Sequence, residues 1–293
     1  MSHSNKSTLS WAEAQDLWLE AAKRSGYDQQ ESHALWNQWL YERMGWGRST
    51  VFLHASETLE PAMYSQWHLD MSAIEKGTPL QYILGRVVFA GLTINVTPGV
   101  LIPRPETEAW ITQWSKILPS GVRVLDACTG SGCMALALKA HNPSLDVWAL
   151  DDYEEALVQA RGNAARLNLL VRIEKADLLA EVPQDWPLFD AIFSNPPYIP
   201  WSEKSQMDRH VVEHEPSEAL FVPDADPILF YRALSRWGNQ KLVSGGVLAV
   251  ECHRDLVDNV CGLWRSEGWE KIVVENDIFD QKRFVSALRP PYL

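Results

Sequence analysis

The chain has little cysteine: four residues in 293, Cys128, Cys133, Cys252 and Cys261, with no CxxC spacing among them. That is too few to staple a chain of this length, so they read as reduced thiols in a cytosolic protein. Long apolar runs are missing too. No segment reaches the roughly 20 apolar residues that span a bilayer. At the start of the chain, Glu13, Asp16 and Glu20 interrupt what a signal peptide would keep apolar. Positive charge is also short, since 26 Lys and Arg against 38 Asp and Glu leave a net −12, which disfavours a surface that holds nucleic-acid phosphates. The expectation is a cytoplasmic protein, a monomer, with no membrane association and no stable nucleic-acid binding. With 46% hydrophobic and 22% charged residues, 16 Gly and 17 Pro, the composition also excludes disordered and collagen-like classes.

Two regions follow different patterns. From Trp11 to about Gly77 the apolar residues recur at helical spacing: Trp11, Ala14, Trp18 and Ala21, then Leu35, Trp39 and Leu40, then Leu59, Met63, Trp67, Met71 and Ile74. This predicts a small helical bundle with a tryptophan-rich core, over residues 1–79. Residues 80–105 change to short alternating runs, GRVVFAG and LTINVTPG, that predict a hairpin linker. The segment LIPRPETE follows, with prolines that argue against a continuous helix. In residues 106–293 strand and helix signals alternate, with strands ending near Asp126, Leu150, Ile173, Ser194 and Glu251. Such alternation predicts an α/β fold, a mainly parallel sheet with helices on both faces.

Ligands in such sheets collect outside the carboxyl ends of the strands. The segment VRVLDACTGSGCMALAL reads as strand, glycine turn and helix, which places Asp126, Ala127, Cys128, Thr129, Gly130, Ser131 and Gly132 at the first such end. A tight turn without a ligand needs glycine as well, so this signal is weak alone. The next strand ends in Asp151, where a carboxylate can accept from both ribose hydroxyls of a nucleoside. Its neighbours Asp152 and Tyr153 fit an acidic helix start equally well. A third strand leads to Asp177 and Leu178, placed to border a base, although Asp177 taken by itself is a turn residue.

The specific signal is Asn195-Pro196-Pro197-Tyr198, directly after strand AIFS. Two prolines fix the backbone and present the Asn195 side chain and the Pro196 carbonyl in one orientation beside an aromatic ring. Two acceptors gripping both N–H bonds of a planar NH2 group can hold a weakly nucleophilic nitrogen at reactive distance. The aromatic Tyr198 is placed to stack on that group.

These motifs together resemble class I S-adenosylmethionine-dependent methyltransferases that act on amide or exocyclic amine nitrogen. More narrowly, GVLIPRPETE, NPPYIP, EPSEAL and GGVLAVE resemble the HemK-type glutamine methyltransferases of peptide chain release factors, from about Leu80 to the end. The helical amino-terminal part resembles that family's partner-recognition domain. The resemblance implies a Rossmann-like class I methyltransferase fold, S-adenosylmethionine as cofactor, and a release factor as protein substrate, methylated on the glutamine of its Gly-Gly-Gln motif. It implies that residues 127–132 wrap the methionine end of the cofactor, Asp151 holds the ribose, and Asp177 and Leu178 border the adenine. Asn195 then touches cofactor and substrate, while Pro196, Pro197 and Tyr198 complete the glutamine pocket. Arg104, Thr107 and Glu108, with Glu106, match PRPETE and close over the cofactor. Cys128 departs from the family's usual glycine, and a positive φ there would be costly for cysteine. No general base stands out beyond Glu108.

Three rival readings carry less. His210-Val211-Val212-Glu213-His214 spells an inverted zinc-protease motif, but Pro216 follows at once, so a loop histidine pair without metal is the expectation. Adenine methylation of DNA is chemically close, since such enzymes flip the base into a comparable pocket, but the −12 charge opposes it. A ribosomal-protein substrate stays open, and a non-catalytic cofactor-binding adaptor would have no use for the amide grip.

Overall fold

The structure, a computed structural model, describes residues 9–291. The first eight residues, on which part of the leader-peptide reading rests, and the last two lie outside the described residues. The amino-terminal part consists of α1 (Trp11–Ser25), α2 (Gln29–Met44), α3 (Arg48–His54), α4 (Pro61–Glu75) and α5 (Leu80–Leu84). A hairpin, β1 (Arg86–Phe89) and β2 (Leu92–Asn95), precedes α6 (Pro105–Ile117). Strand and helix then alternate through β3 (Arg123–Ala127), α7 (Cys133–His141), β4 (Asp146–Asp151), α8 (Glu154–Leu167), β5 (Arg172–Lys175) and β6 (Phe189–Ser194). An insertion carries β7 (Ile199–Pro200), α9 (Arg209–His214), α10 (Ser217–Leu220) and β8 (Phe221–Val222). The chain closes with α11 (Leu229–Lys241), β9 (Leu242–Glu251), α12 (Val257–Ser266), β10 (Glu270–Asn276) and β11 (Lys282–Leu288).

The chain divides into two units: Met1–Gly85 with Arg209–His214, and Arg86–Asp208 with Glu215–Leu293. In the first unit, α1 and α2 each begin with a reciprocal cap, Ser10 with Glu13 and Asp28 with Glu31, and each ends on a left-handed glycine, Gly26 and Gly45. Trp11, Trp18, Trp36, Trp39 and Trp67 are buried together, with Trp36 and Trp39 stacked at 5.4 Å. One charge sits in this core. Asp70 accepts from Trp39 Nε1 at 2.7 Å, Arg43 Nε at 3.0 Å and Gln66 Nε2 at 2.9 Å. The His210 ring stacks on Tyr27 at 3.9 Å, and its Nδ1 lies 2.8 Å from the Gly77 carbonyl oxygen. The histidine pair is thus helical, on α9, which ends at His214 just before Glu215-Pro216, where the expectation was a loop. Glu213 pairs with Arg209 at 2.7 Å, and among the described residues no group of three or more His, Cys, Asp or Glu is placed to hold a metal ion.

The second unit is built on a seven-stranded sheet in the order β10-β11-β9-β6-β3-β4-β5. All neighbours are parallel except β11, which runs antiparallel to β9 and β10. This is the class I methyltransferase architecture. Residues Val124 to Ala127 of β3 are all buried, as expected of a central strand covered on both faces. From β3 the chain runs through α7 and α8 to β5 on one side of the sheet, and from β6 through α11 to β9 on the other; such crossovers are right-handed as a rule. This places helices on opposite faces and makes β3 the point where strand order reverses. LIPRPETE is not one continuous helix: residues 101–104 are non-helical, and Pro105 opens α6, because the first helical turn needs no N–H from it. Residues 80–84, expected within the hairpin linker, form α5. Among the described residues no helix is long and apolar enough to cross a membrane.

Candidate active site

A cavity of about 560 Å³ opens beyond the carboxyl ends of β3, β4 and β6, with Thr107, Thr129, Gly130, Asp151, Leu178 and Asn195 in its wall. The glycine loop owes its shape to three left-handed residues, Cys128 at φ 59°, Gly130 at 55° and Gly132 at 82°. Cysteine therefore does occupy a conformation that suits glycine. The two glycines serve different ends. A Cβ on Gly130 would meet nothing within 4 Å, whereas one on Gly132 would press on Ala160 Cβ at 3.2 Å. Gly130 keeps the wall open, and Gly132 lets α7 start close against α8.

Asp126 sits beneath this loop. Its Oδ2 accepts from Thr129 Oγ1 at 2.6 Å and from the Ala135 N–H at 3.0 Å, while Oδ1 has no protein partner. Complete burial pushes its carboxyl up to about 7, against the pull of those two donors. Asp151, at the end of β4, accepts from the Gly130 N–H at 2.9 Å and the Tyr153 N–H at 3.1 Å. Burial raises its carboxyl above the ordinary aspartate value, and those backbone donors oppose the rise. Asp177 accepts from the Leu179 N–H at 2.7 Å, and Leu178 is anchored through its carbonyl, which accepts from Trp237 Nε1 at 3.0 Å.

On the other wall, Asn195 Nδ2 lies 3.4 Å from Thr107 Oγ1. Thr107 Oγ1 donates to Glu251 Oε2 at 2.5 Å, and Tyr198 OH donates to Glu251 Oε1 at 3.1 Å. Burial pushes the Tyr198 phenol well above its ordinary value, with the neighbouring Glu251 adding to the shift. Burial likewise raises the Glu251 carboxyl. Arg104 donates to buried Glu215 at 2.6 Å, and the same carboxylate accepts from the Ile102 N–H at 3.1 Å. These bonds tie the segment before α6 to the start of α10.

Of the residues singled out in the sequence, Cys128, Thr129, Gly130, Ser131, Asp151, Asp177, Leu178, Asn195, Pro197, Arg104 and Thr107 all face the cavity. Asp126, Ala127 and Gly132 stand behind the loop rather than in the wall, and Pro196 and Tyr198 are not in the wall either. Glu108 is turned to the hairpin, where it accepts from the Ala90 N–H at 2.9 Å. Three organising residues carried no reading in the sequence: Glu251, Glu215 and Asn163. Asn163, fully buried on α8, accepts from the Asn95 N–H at 2.8 Å and donates to the carbonyls of Asn95 at 2.9 Å and Ser131 at 3.0 Å. Glu251 and Glu215 stood inside quoted motifs, but their partners lie 144 and 111 positions away, a pairing that no local pattern encodes.

The Methyltransferase small domain matches residues 108–215 and the PrmC N-terminal domain matches residues 16–85. A release factor glutamine methyltransferase of Bacteroides thetaiotaomicron is 38% identical over 216 residues, which cover 74% of this chain and 78% of that protein. The one from Flavobacterium psychrophilum is 35% identical over 247 residues, covering 82% and 86%. The chain belongs to the release factor glutamine methyltransferase family. As a methyltransferase it also shares its fold with more distant enzymes. A methyltransferase from Pyrococcus furiosus aligns with TM-score 0.52 at 21% identity, over 68% of this chain and 90% of that one. Human methyltransferase 10 domain containing protein aligns at 0.51 and 15%, over 69% and 90%.

Proposed function

We propose that this methyltransferase uses S-adenosylmethionine to methylate the side-chain nitrogen of the glutamine in the Gly-Gly-Gln motif of class I peptide chain release factors. The observation that carries this reading is the meeting of Asp151, Gly130 and Asn195 on one cavity. A nucleoside that bears an amino-acid tail fits such a wall: an acidic strand end for ribose hydroxyls, an open glycine for close backbone approach, and a volume of about 560 Å³. When bound, that cofactor supplies an electrophilic methyl group on a sulfonium sulfur.

The chain's own residues bind and orient. Asp151 accepts from the ribose, Leu178 packs on the adenine with Asp177 at its edge, and residues 128–131 wrap the methionine end, with Arg104 and Thr107 across from them. The Asn195 side-chain oxygen and the Pro196 carbonyl accept the two amide hydrogens of the glutamine and hold its nitrogen in line with the methyl. Positioning of this kind supplies most of the rate in a direct transfer. The same acceptors stabilise positive charge that grows on nitrogen. The proton then leaves to water, since an N-methylated amide cation is strongly acidic. Release factor recognition falls to the helical unit, whose sequence matches the PrmC N-terminal domain.

The test is a transfer assay with labelled S-adenosylmethionine and an intact bacterial-type release factor, with the product mapped by mass spectrometry. One added methyl on the Gly-Gly-Gln glutamine, abolished by Asn195→Ala with the fold retained, is the expected result. Label on a ribosomal protein or on DNA instead would overturn the substrate, and activity that survives Asn195→Ala would overturn the site.

A further inference from the structure

The amide of Asn195 can face the cavity with either its oxygen or its nitrogen, and only the oxygen can grip a substrate NH2. Local geometry does not choose between them, because an asparagine side chain turns over about its last bond. The choice is made two hydrogen bonds away. Glu251, at the end of β9, is 2% exposed and uses both carboxylate oxygens: Oε2 accepts from Thr107 and Oε1 accepts from Tyr198. Thr107 owns a single hydroxyl proton, and the carboxylate, being acceptor-only, takes it. Toward Asn195 the Thr107 oxygen therefore offers lone pairs alone. Asn195 must answer with its NH2, which leaves Oδ1 for the cavity. The Tyr231 hydroxyl, donating to the Glu251 carbonyl oxygen at 3.3 Å, holds the end of the strand in place.

We infer that Glu251 is a positioning residue which, acting through Thr107, fixes the orientation of the Asn195 amide and so sets the site to prefer an amide over a carboxylate. This rests on the proposed glutamine substrate. A glutamine nitrogen brings two donors to two acceptors, whereas a glutamate in the same loop would bring a charged acceptor against them. Selectivity for glutamine over glutamate is thus encoded in a carboxylate that touches neither substrate.

The experiment uses the intact enzyme, an intact release factor, and that factor with the Gly-Gly-Gln glutamine changed to glutamate. Thr107→Val removes the hydroxyl at nearly constant volume, Thr107→Ser retains it, and Glu251→Gln removes the obligatory acceptor. Calorimetry gives Kd for both forms of the factor and for S-adenosylmethionine, and steady-state kinetics gives kcat and KM. The expected outcome for Thr107→Val is a fall in kcat of about 100-fold. The ratio of Kd for the glutamate form to Kd for the glutamine form should fall about tenfold, since the freed amide can turn its NH2 to the cavity. Thr107→Ser should recover most of both effects. Glu251→Gln should move kcat and the ratio in the same direction as Thr107→Val, by less, because one orientation of the new amide still accepts from Thr107. If both forms of the factor keep their wild-type Kd ratio in Thr107→Val and Glu251→Gln, or if Thr107→Ser behaves like valine, the relay is overturned. Wild-type enzyme that fails to methylate the glutamine overturns the substrate reading instead.

Discussion

Asp126 is held in the folded chain at a carboxyl value of about 7, against an ordinary 3.8, because burial outweighs its two donors. Between those values the folded protein binds a proton that the unfolded chain has released, so its contribution to stability falls as pH rises. The penalty is absent below about pH 4 and complete above about pH 7, and between pH 5 and pH 8 it amounts to about 3 kcal/mol at about 1.4 kcal/mol per unit. Asp126→Asn keeps an acceptor for Thr129 and Ala135 and cannot ionise. Denaturant titrations should show the variant gaining about 3 kcal/mol on wild type between pH 5 and pH 8, and an unchanged difference would refute the assignment. Cys128 gives a second prediction at this scale. A left-handed non-glycine residue costs roughly 1–2 kcal/mol, so Cys128→Gly should be about 1 kcal/mol more stable than Cys128→Ala in thermal or chemical unfolding. Equal stabilities would mean that the loop relaxes when the thiol is removed.

At the scale of elements, Asn163 does the work of a missing strand neighbour. From α8 it completes the backbone of Asn95 at the end of β2 and takes the Ser131 carbonyl of the glycine loop. Asn163→Ala leaves one buried and two part-buried backbone groups without this partner and should cost about 2 kcal/mol, with weaker S-adenosylmethionine binding because Ser131 lies in the cavity wall. Unfolding free energy and calorimetric Kd measured together check both halves. This joint shows what the sequence could carry. The strand-turn-helix around Thr129 was legible because β3 is a buried run that stops at glycines, and a helix after β4 was legible from the alternation of strand and helix signals. The clamp between them was not, since a polar residue inside a helix usually faces water, and only burial marks Asn163 as different. The same holds for α6, where proline reads as a breaker until its place in the first turn is known. It holds again for Glu251, whose role needs a threonine from another element.

For the molecule as a whole, the two patterns in the sequence, tryptophans at helical spacing and alternating strand and helix, correspond to the two units. The boundary was harder to read, because α5 looks like the beginning of an extended run and because α9 rejoins the first unit from the middle of the second. Independence of the two cores can be tested through Asp70. Arg43→Met removes a partner from a carboxylate that is only 4% exposed and should destabilise the first unit by about 3 kcal/mol. None of its partners belongs to the cavity wall, so S-adenosylmethionine Kd should change less than twofold; a larger change would show that the cores are coupled.

The return of α9 also has a consequence in time. Tyr27 and the Gly77 carbonyl receive the His210 ring only after the ribosome has added 125 residues beyond Gly85, which takes about 6–25 s at about 5–20 residues per second. Through that interval the helical unit waits with the seat for His210 open. Its last piece is delivered by a chain that has already emitted β3, β4, β5 and β6, so the small amino-terminal unit, though first to emerge, is completed only after the catalytic sheet has begun to form.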